Sequence, residues 1–202
     1  LECGYKRHAY NSCRNRHCPK CQILMQELWA EAQERRLLPT HYFHVTFTVA
    51  AELRRLFRRA PEVCLNLLFE AASETLRELA QTHLGIQIGF TAVLHTWTRA
   101  LIFHPHAHVL VTAGGLSADG EHWLSPRNPR FLVPGYALSV VFRAKVRDAL
   151  KKAHLFDEVP ASAWAKTKKW VVHVKHAGTG TKVLAYLARY VFRIAITERR
   201  IL

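Results

Sequence analysis

The run His104-Pro105-His106-Ala107-His108-Val109-Leu110-Val111 constrains this chain more than any other stretch. His106 and His108 are two residues apart, and in a β-strand residues i and i+2 project from one face. Ala107 then turns into a core. The apolar residues that follow read as a buried strand, ended by Ala113-Gly114-Gly115. Two imidazoles on one face make two thirds of a metal site. The plainer reading is a histidine-rich strand edge, and the run alone leaves both open.

A third ligand follows from the preceding segment. Residues 86–98 alternate, with Ile86, Ile88, Phe90, Ala92 and Leu94 on one side. They lie close enough to the histidine run to form an antiparallel hairpin with it. A turn centred near Ala100-Leu101 sets His95 opposite His106, and directly opposed residues share a sheet face. His95 is therefore the expected third ligand, with His44 and His104 next in line. A one-residue slip of register would turn His95 away.

The net charge of +14, with 29 Lys and Arg against 15 Asp and Glu, points to a polyanionic partner, most often nucleic acid. The basic residues form no block long enough for a disordered tail, so the charge belongs to folded surfaces. Half of the 202 residues are apolar, enough for one sizeable core and a small appended module. No stretch approaches the ~20 uninterrupted apolar residues of a membrane span, and no secretory leader is read. The chain opens on Leu1 and stops at Leu202, as expected of a piece of a longer protein.

Four of the five cysteines fall within the first 21 residues: Cys3, Cys13, Cys18 and Cys21. Cys18-Pro19-Lys20-Cys21 has the spacing that lets two thiolates grip one zinc ion. So short a segment has little apolar area of its own, and bound metal would supply its folding energy. A disulfide framework is the alternative, disfavoured by the missing secretory leader. Arg14, Arg16 and Lys20 interleave these cysteines and are expected to touch phosphate.

The remaining pattern reads as a strand–helix–strand–strand–helix–strand–helix order. Residues 22–38 form a linking helix with a Leu24, Leu28, Ala32 stripe. Residues 41–49 are a strand alternating about Phe43, Val45 and Phe47. Residues 51–59 are a short basic amphipathic piece. A helix starts at Pro61, with Val63, Leu67, Ala71, Leu76 and Leu79 inward and Cys64 in the core. Residues 114–135 form a long loop or small hairpin that includes Trp123. A helix over 136–155 and a strand over 170–175 follow. The last helix, about 181–193, carries Tyr186 and Tyr190. Tyrosines at i and i+4 stack on one helix face. Such a pair is ordinarily core; beside a metal site it becomes a pair of nucleophiles for a phosphodiester. The fold class is α+β: an antiparallel sheet with helices on one face, and a small N-terminal zinc-binding module. The module and its linking helix take residues 1–38, and the main domain residues 40–202.

The His106-Ala107-His108 strand and the Tyr186/Tyr190 helix resemble an HUH endonuclease of the two-tyrosine class. The stretch Tyr10-Asn11-Ser12-Cys13-Arg14-Asn15-Arg16-His17-Cys18-Pro19-Lys20-Cys21-Gln22 is similar to the zinc-binding leader of rolling-circle insertion-sequence transposases. Tyr42-Phe43-His44-Val45-Thr46-Phe47-Thr48 and Gly114-Gly115-Leu116-Ser117 fit the same family, so the resemblance covers nearly the whole chain. It implies a transposase that cleaves and transfers single-stranded DNA through 5′-phosphotyrosine links, working in the bacterial cytoplasm at the nucleoid. Tyr186 and Tyr190 would be the nucleophiles. His106, His108 and His95 would hold Mg²⁺ or Mn²⁺, and imidazole donors suit Mn²⁺ better. Structural Zn²⁺ would sit among Cys3, Cys18, Cys21 and Cys13. The family's leader carries a further cysteine just before Cys3; without it, Cys13 or His17 would complete the set. Arg14, Arg16, Lys20, Arg189 and Arg193 would bind single-stranded DNA at transposon ends and target. A rolling-circle replication initiator or relaxase, and a non-catalytic zinc-dependent DNA-binding relative, are the alternatives.

Overall fold

The computed structural model describes residues 18–192, apart from 99, 101, 127, 129–132, 166, 167 and 169; the side chains of Pro19, Lys20 and Tyr190 are also outside the description. Helix α1 (Pro19–Glu34) leads into strand β1 (Tyr42–Thr48). A 3-10 turn at Ala51–Leu53 runs into α2 (Arg54–Arg59), and α3 (Pro61–Leu84) follows. Strands β2 (Gln87–Trp97) and β3 (Phe103–Leu116) make the long hairpin, and β4 (Trp123–Leu124) is a short addition. Then come α4 (Gly135–Lys152), β5 (Val171–Gly178) and α5 (Thr181–Val191). The order is the expected one.

The sheet runs β2-β3-β1-β5, with β4 on β3, and every pairing is antiparallel. The histidine strand is thus a middle strand. On β1, Phe43, Val45 and Phe47 are fully buried while His44, Thr46 and Thr48 turn to the other face. On β3, Ala107, Val109 and Val111 do the same. These residues join Leu68 and Leu76 of α3 and Leu138, Phe142 and Leu150 of α4 in the main core. Cys64, Leu67, Ala71, Leu76 and Leu79 are buried there, as expected, joined by Leu68 and Ala72, whereas Val63 is exposed.

Helices α3 and α4 thus share one face of the antiparallel sheet. Helix α5 lies across the opposite face, where Leu184 and Leu187 pack on Tyr42, Val93 and Leu110. Trp29 and Leu37 complete this smaller cluster. The stripe expected to bury α1 does not do so: Leu24 and Leu28 are half or more exposed. The helix meets α5 along one edge through Trp29, and that contact buries a different side from the one the leucine spacing marks.

A second difference concerns Gly114-Gly115, which does not end the histidine strand; β3 continues to Leu116. The two glycines let three strands approach closely. A Cβ on Gly114 would sit 2.6 Å from the Leu124 carbonyl oxygen and 2.9 Å from the Trp123 indole, and one on Gly115 would strike the Gln87 carbonyl. Gly in a strand interior marks such an approach as readily as a turn. Replacing Gly115 by Ala is expected to cost about 1–3 kcal/mol, because the clash is with backbone. Gly89→Ala, which would meet the Thr112 side chain at ordinary contact distance, its methyl at 3.4 Å, is the control in a thermal-unfolding comparison.

Candidate metal and tyrosine site

The alternation that buries Ala107 and Val109 places His104, His106, His108, Leu110 and Thr112 on the opposite face of β3. The β2–β3 register pairs His95 with His106 and Val93 with His108, as the hairpin reading anticipates. The β1–β3 register adds Thr48 beside His106, Thr46 beside His108 and His44 beside Leu110. One row of the sheet therefore carries His95 and His106, and the next carries His108.

His95, His106 and His108 form a compact group in which one ring nitrogen of each lies within 4.8 Å of the others. His95 Nδ1 is 3.0 Å from His106 Nε2. The ring centroids are 4.7 Å apart for His95 and His106, 4.8 Å for His106 and His108, and 6.0 Å for His95 and His108. His106 and His108 are nearly buried and His95 is half-buried.

The outer hydrogen bonds decide which nitrogens point inward. His106 Nδ1 donates to the His104 carbonyl at 2.6 Å, which leaves its lone pair on Nε2, the atom facing His95. His108 Nδ1 lies 2.9 Å from His44 Nε2 and 3.2 Å from Thr46 Oγ1. In the tautomer that donates there, Nε2 carries the lone pair. Metal-ligating histidines are fixed in this way by a partner on the other nitrogen. Two imidazole nitrogens bound to one ion at ~2.1 Å stand about 3 Å apart across a right angle, close to the His95–His106 separation. The residues present thus fit a divalent ion, with nitrogen donors that favour Mn²⁺ or Zn²⁺ over Mg²⁺.

Burial also keeps the His44, His106 and His108 rings neutral, the state in which a ring nitrogen can ligate. Desolvation, with His106, His44 and His95 nearby, lowers His108 to about 3. Desolvation, then His173 and Lys175, lowers His44 to about 4. Burial lowers His106 as well, opposed by its bond to the His104 carbonyl. A buried imidazole loses hydration most in its charged form.

Helix α5 begins at Gly180, whose φ of 86° is left-handed. A Cβ there would lie 3.1 Å from the Tyr42 ring, so the helix start rests on that aromatic face. Leu38 N–H donates to Tyr42 Oη at 2.8 Å and ties the α1–β1 link to the same residue. One and a half turns along α5, the Tyr186 ring stands 6.0 Å from His44 and 6.0 Å from His108 by centroids, roughly perpendicular to both. Tyr186 is 39% exposed. Tyr190 follows one turn later on the same helix, its side chain outside the described residues.

Of the other expected site residues, Arg189 is exposed on α5, and Cys18 and Cys21 bracket the first turn of α1, half-buried and not joined by a disulfide. Lys20 lies between them, with its side chain undescribed. Cys3, Cys13, Arg14, Arg16 and Arg193 lie outside the described residues. Thr46, as a partner of His108, was not anticipated, and His44, next in line as a ligand, lies instead against the outer nitrogen of His108. The alternation of β1 carried the signal, because it sends His44 and Thr46 to the face that a neighbouring strand shares. Neither His173 nor Lys175 was anticipated. They lie on β5, paired with Thr46 and His44 of β1, and are both exposed, and Lys175 places a positive charge toward the sheet edge. No helix among the described residues is long and apolar enough to cross a membrane.

Comparison with known proteins gives this geometry a context. Residues 89–202 match the family Y2_Tnp, described as "Putative transposase", and residues 1–49 match a transposase zinc-binding domain of the IS91 type. Among curated relatives, the chain is 39% identical to "Putative transposase y4qJ" of Sinorhizobium fredii, over 99% of this chain and 55% of that protein. It is 29% identical to the transposase for insertion sequence element IS801 of Pseudomonas savastanoi pv. phaseolicola, over 98% of this chain and 50% of that protein. The chain thus spans about half the length of these relatives. No solved structure matches it. The Y2_Tnp match covers more than half of the chain, hairpin and tyrosine helix included: this protein belongs to the Y2_Tnp transposase family.

Proposed function

We propose that this chain supplies the cutting and joining centre of a transposase acting on single-stranded DNA, with residues 1–38 as a zinc-binding module and 40–202 as the catalytic domain. The observation that carries the reading is the Tyr186 ring standing beside His44 and His108, next to the three-histidine group. A phenol near a divalent-ion site is the pairing that phosphodiester attack requires.

His95, His106 and His108 would hold a divalent ion, Mn²⁺ or Mg²⁺, which when bound polarises the scissile phosphate. Tyr186 Oη attacks the phosphorus; the bond from phosphorus to the 3′-oxygen breaks. The products are a 5′-phosphotyrosine and a free 3′-hydroxyl, and the tyrosyl proton ends on that hydroxyl. The reverse reaction with another 3′-hydroxyl rejoins the strand, so no nucleotide cofactor is needed. Tyr190 is one turn away, a separation of ~5–6 Å at the side-chain bases. The two phenols therefore serve separate cuts. Lys175 and His173, with Arg189 and Arg193, hold the DNA backbone, and Arg14, Arg16 and Lys20 contact it from the module. Cys18 and Cys21, with Cys3 and Cys13, bind structural Zn²⁺.

The decisive experiment incubates the protein with labelled single-stranded oligonucleotides and Mn²⁺ and seeks a covalent adduct on a denaturing gel. The wild type is expected to form one. Tyr186→Phe with Tyr190→Phe is expected to form none, a loss of at least about 10³-fold, while still binding DNA. Normal cleavage by that double variant would make water the nucleophile and the protein an ordinary metal-dependent nuclease. His106→Ala or His108→Ala is expected to abolish cleavage and leave DNA affinity nearly intact, since affinity comes from cationic side chains on phosphates. Cys18→Ser with Cys21→Ser is expected to lower recognition of specific DNA ends more than cleavage of generic single strands. Equal loss of both would assign the module to supporting the catalytic domain.

A further inference from the structure

Outside the three-histidine group, one cationic side chain connects to it through a run of hydrogen bonds. Arg54 opens α2 and is half-buried. Its Nη2 donates to His104 Nδ1 at 2.6 Å. A guanidinium has no acceptor, so the sense of this bond is fixed. The His104 carbonyl in turn accepts from His106 Nδ1 at 2.6 Å, and His106 Nε2 lies 3.0 Å from His95 Nδ1. Arg54 and the group thus stand at two ends of one chain of contacts.

The backbone explains why such an anchor is needed. The β1–β3 register ends at Thr48 and His106. The β2–β3 register jumps from His95–His106 to Trp97–Phe103, so among the described residues His104 and Pro105 have no register partner in either neighbouring strand. Pro105 also has no N–H to give to a ladder. The carbonyl that orients His106 therefore lies in the irregular part of the β2–β3 register. The His104 side chain is held by Arg54. Among the described residues the Arg54 guanidinium forms no ion pair; the adjacent Glu52 is engaged by Lys168 at 2.5 Å.

We propose that Arg54 is a positioning residue: by holding His104 it fixes the carbonyl that sets the orientation of His106 and aims Nε2 at the ion. The inference rests on the metal reading above. Partners of this kind are worth about 10- to 100-fold in metal affinity.

The test titrates the protein, its cysteine site first filled with one equivalent of Zn²⁺, with Co²⁺ and follows the visible absorption of the ion bound to nitrogen donors, with circular dichroism as the check on folding. Arg54→Leu is expected to weaken Co²⁺ binding about 10- to 100-fold and to change the band shape. Arg54→Gln, which keeps an N–H donor, is expected to restore most of the affinity. His104→Leu keeps the carbonyl and removes the anchor, so it is expected to match Arg54→Leu. The double variant is expected to be no worse than either single one, since both remove the same link. His104→Leu carries the test by itself if Arg54→Leu does not fold. Wild-type Co²⁺ binding in both single variants would overturn the inference. So would a loss of single-stranded DNA affinity in Arg54→Leu with Co²⁺ binding unchanged, which would assign the guanidinium to phosphate. A wild-type protein that binds no Co²⁺ would instead remove the metal reading, and this inference with it.

Discussion

The register of the β2–β3 hairpin is the constraint on which the rest depends. It brings His95 to His106 across the strand gap, and a slip of one residue would send His95 to the face where α3 and α4 pack. Two features hold it. The glycines at the far end of β3 let Gln87 and Leu124 approach without clash. The apolar alternation of both strands drives Ile88, Phe90, Ala92 and Leu94 toward the main core, together with Val109 and Val111. The hydrophobic effect on one side of the sheet thus determines the polar chemistry on the other.

That polar side is divided. Near the hairpin turn it carries His95, His106 and His108, joined to His44 and Thr46 by ring-nitrogen contacts that offset their desolvation. Farther along it becomes apolar, with Val93, Leu110 and Tyr42 under Leu184 and Leu187. Helix α5 docks on the apolar half, and Tyr186 falls at the boundary. Rigid sheet positions and a packed helix give a site better placed than loops could provide.

Much of this was legible in the sequence. Strict alternation marked the strands, Pro61 marked the start of α3, and the short gap before His104 made the hairpin and its His95–His106 pairing derivable from geometry. Gly114-Gly115 misled because glycine signals both a turn and a close backbone approach, and only the position of β4 distinguishes them. The Leu24, Leu28 stripe misled because helical spacing identifies an apolar side without saying whether a partner covers it. Arg54 reaches the site by a tertiary contact across 50 residues, and local pattern carries no record of such a separation. The position of α5 opposite α3 and α4 likewise depends on which sheet face remained uncovered, a property of the assembled sheet.

Helix α1 makes its principal tertiary contact with α5 rather than with the sheet, and Leu38 reaches the ring on which α5 begins. The segment holding Cys18 and Cys21 and the helix bearing Tyr186 are therefore mechanically in series. Any ligand that steadies α1 also raises the free energy of lifting α5 from the sheet, and by thermodynamic reciprocity a load on α5 is felt at α1. In this architecture α1 braces the helix that carries Tyr186, and a displacement of either is felt by the other.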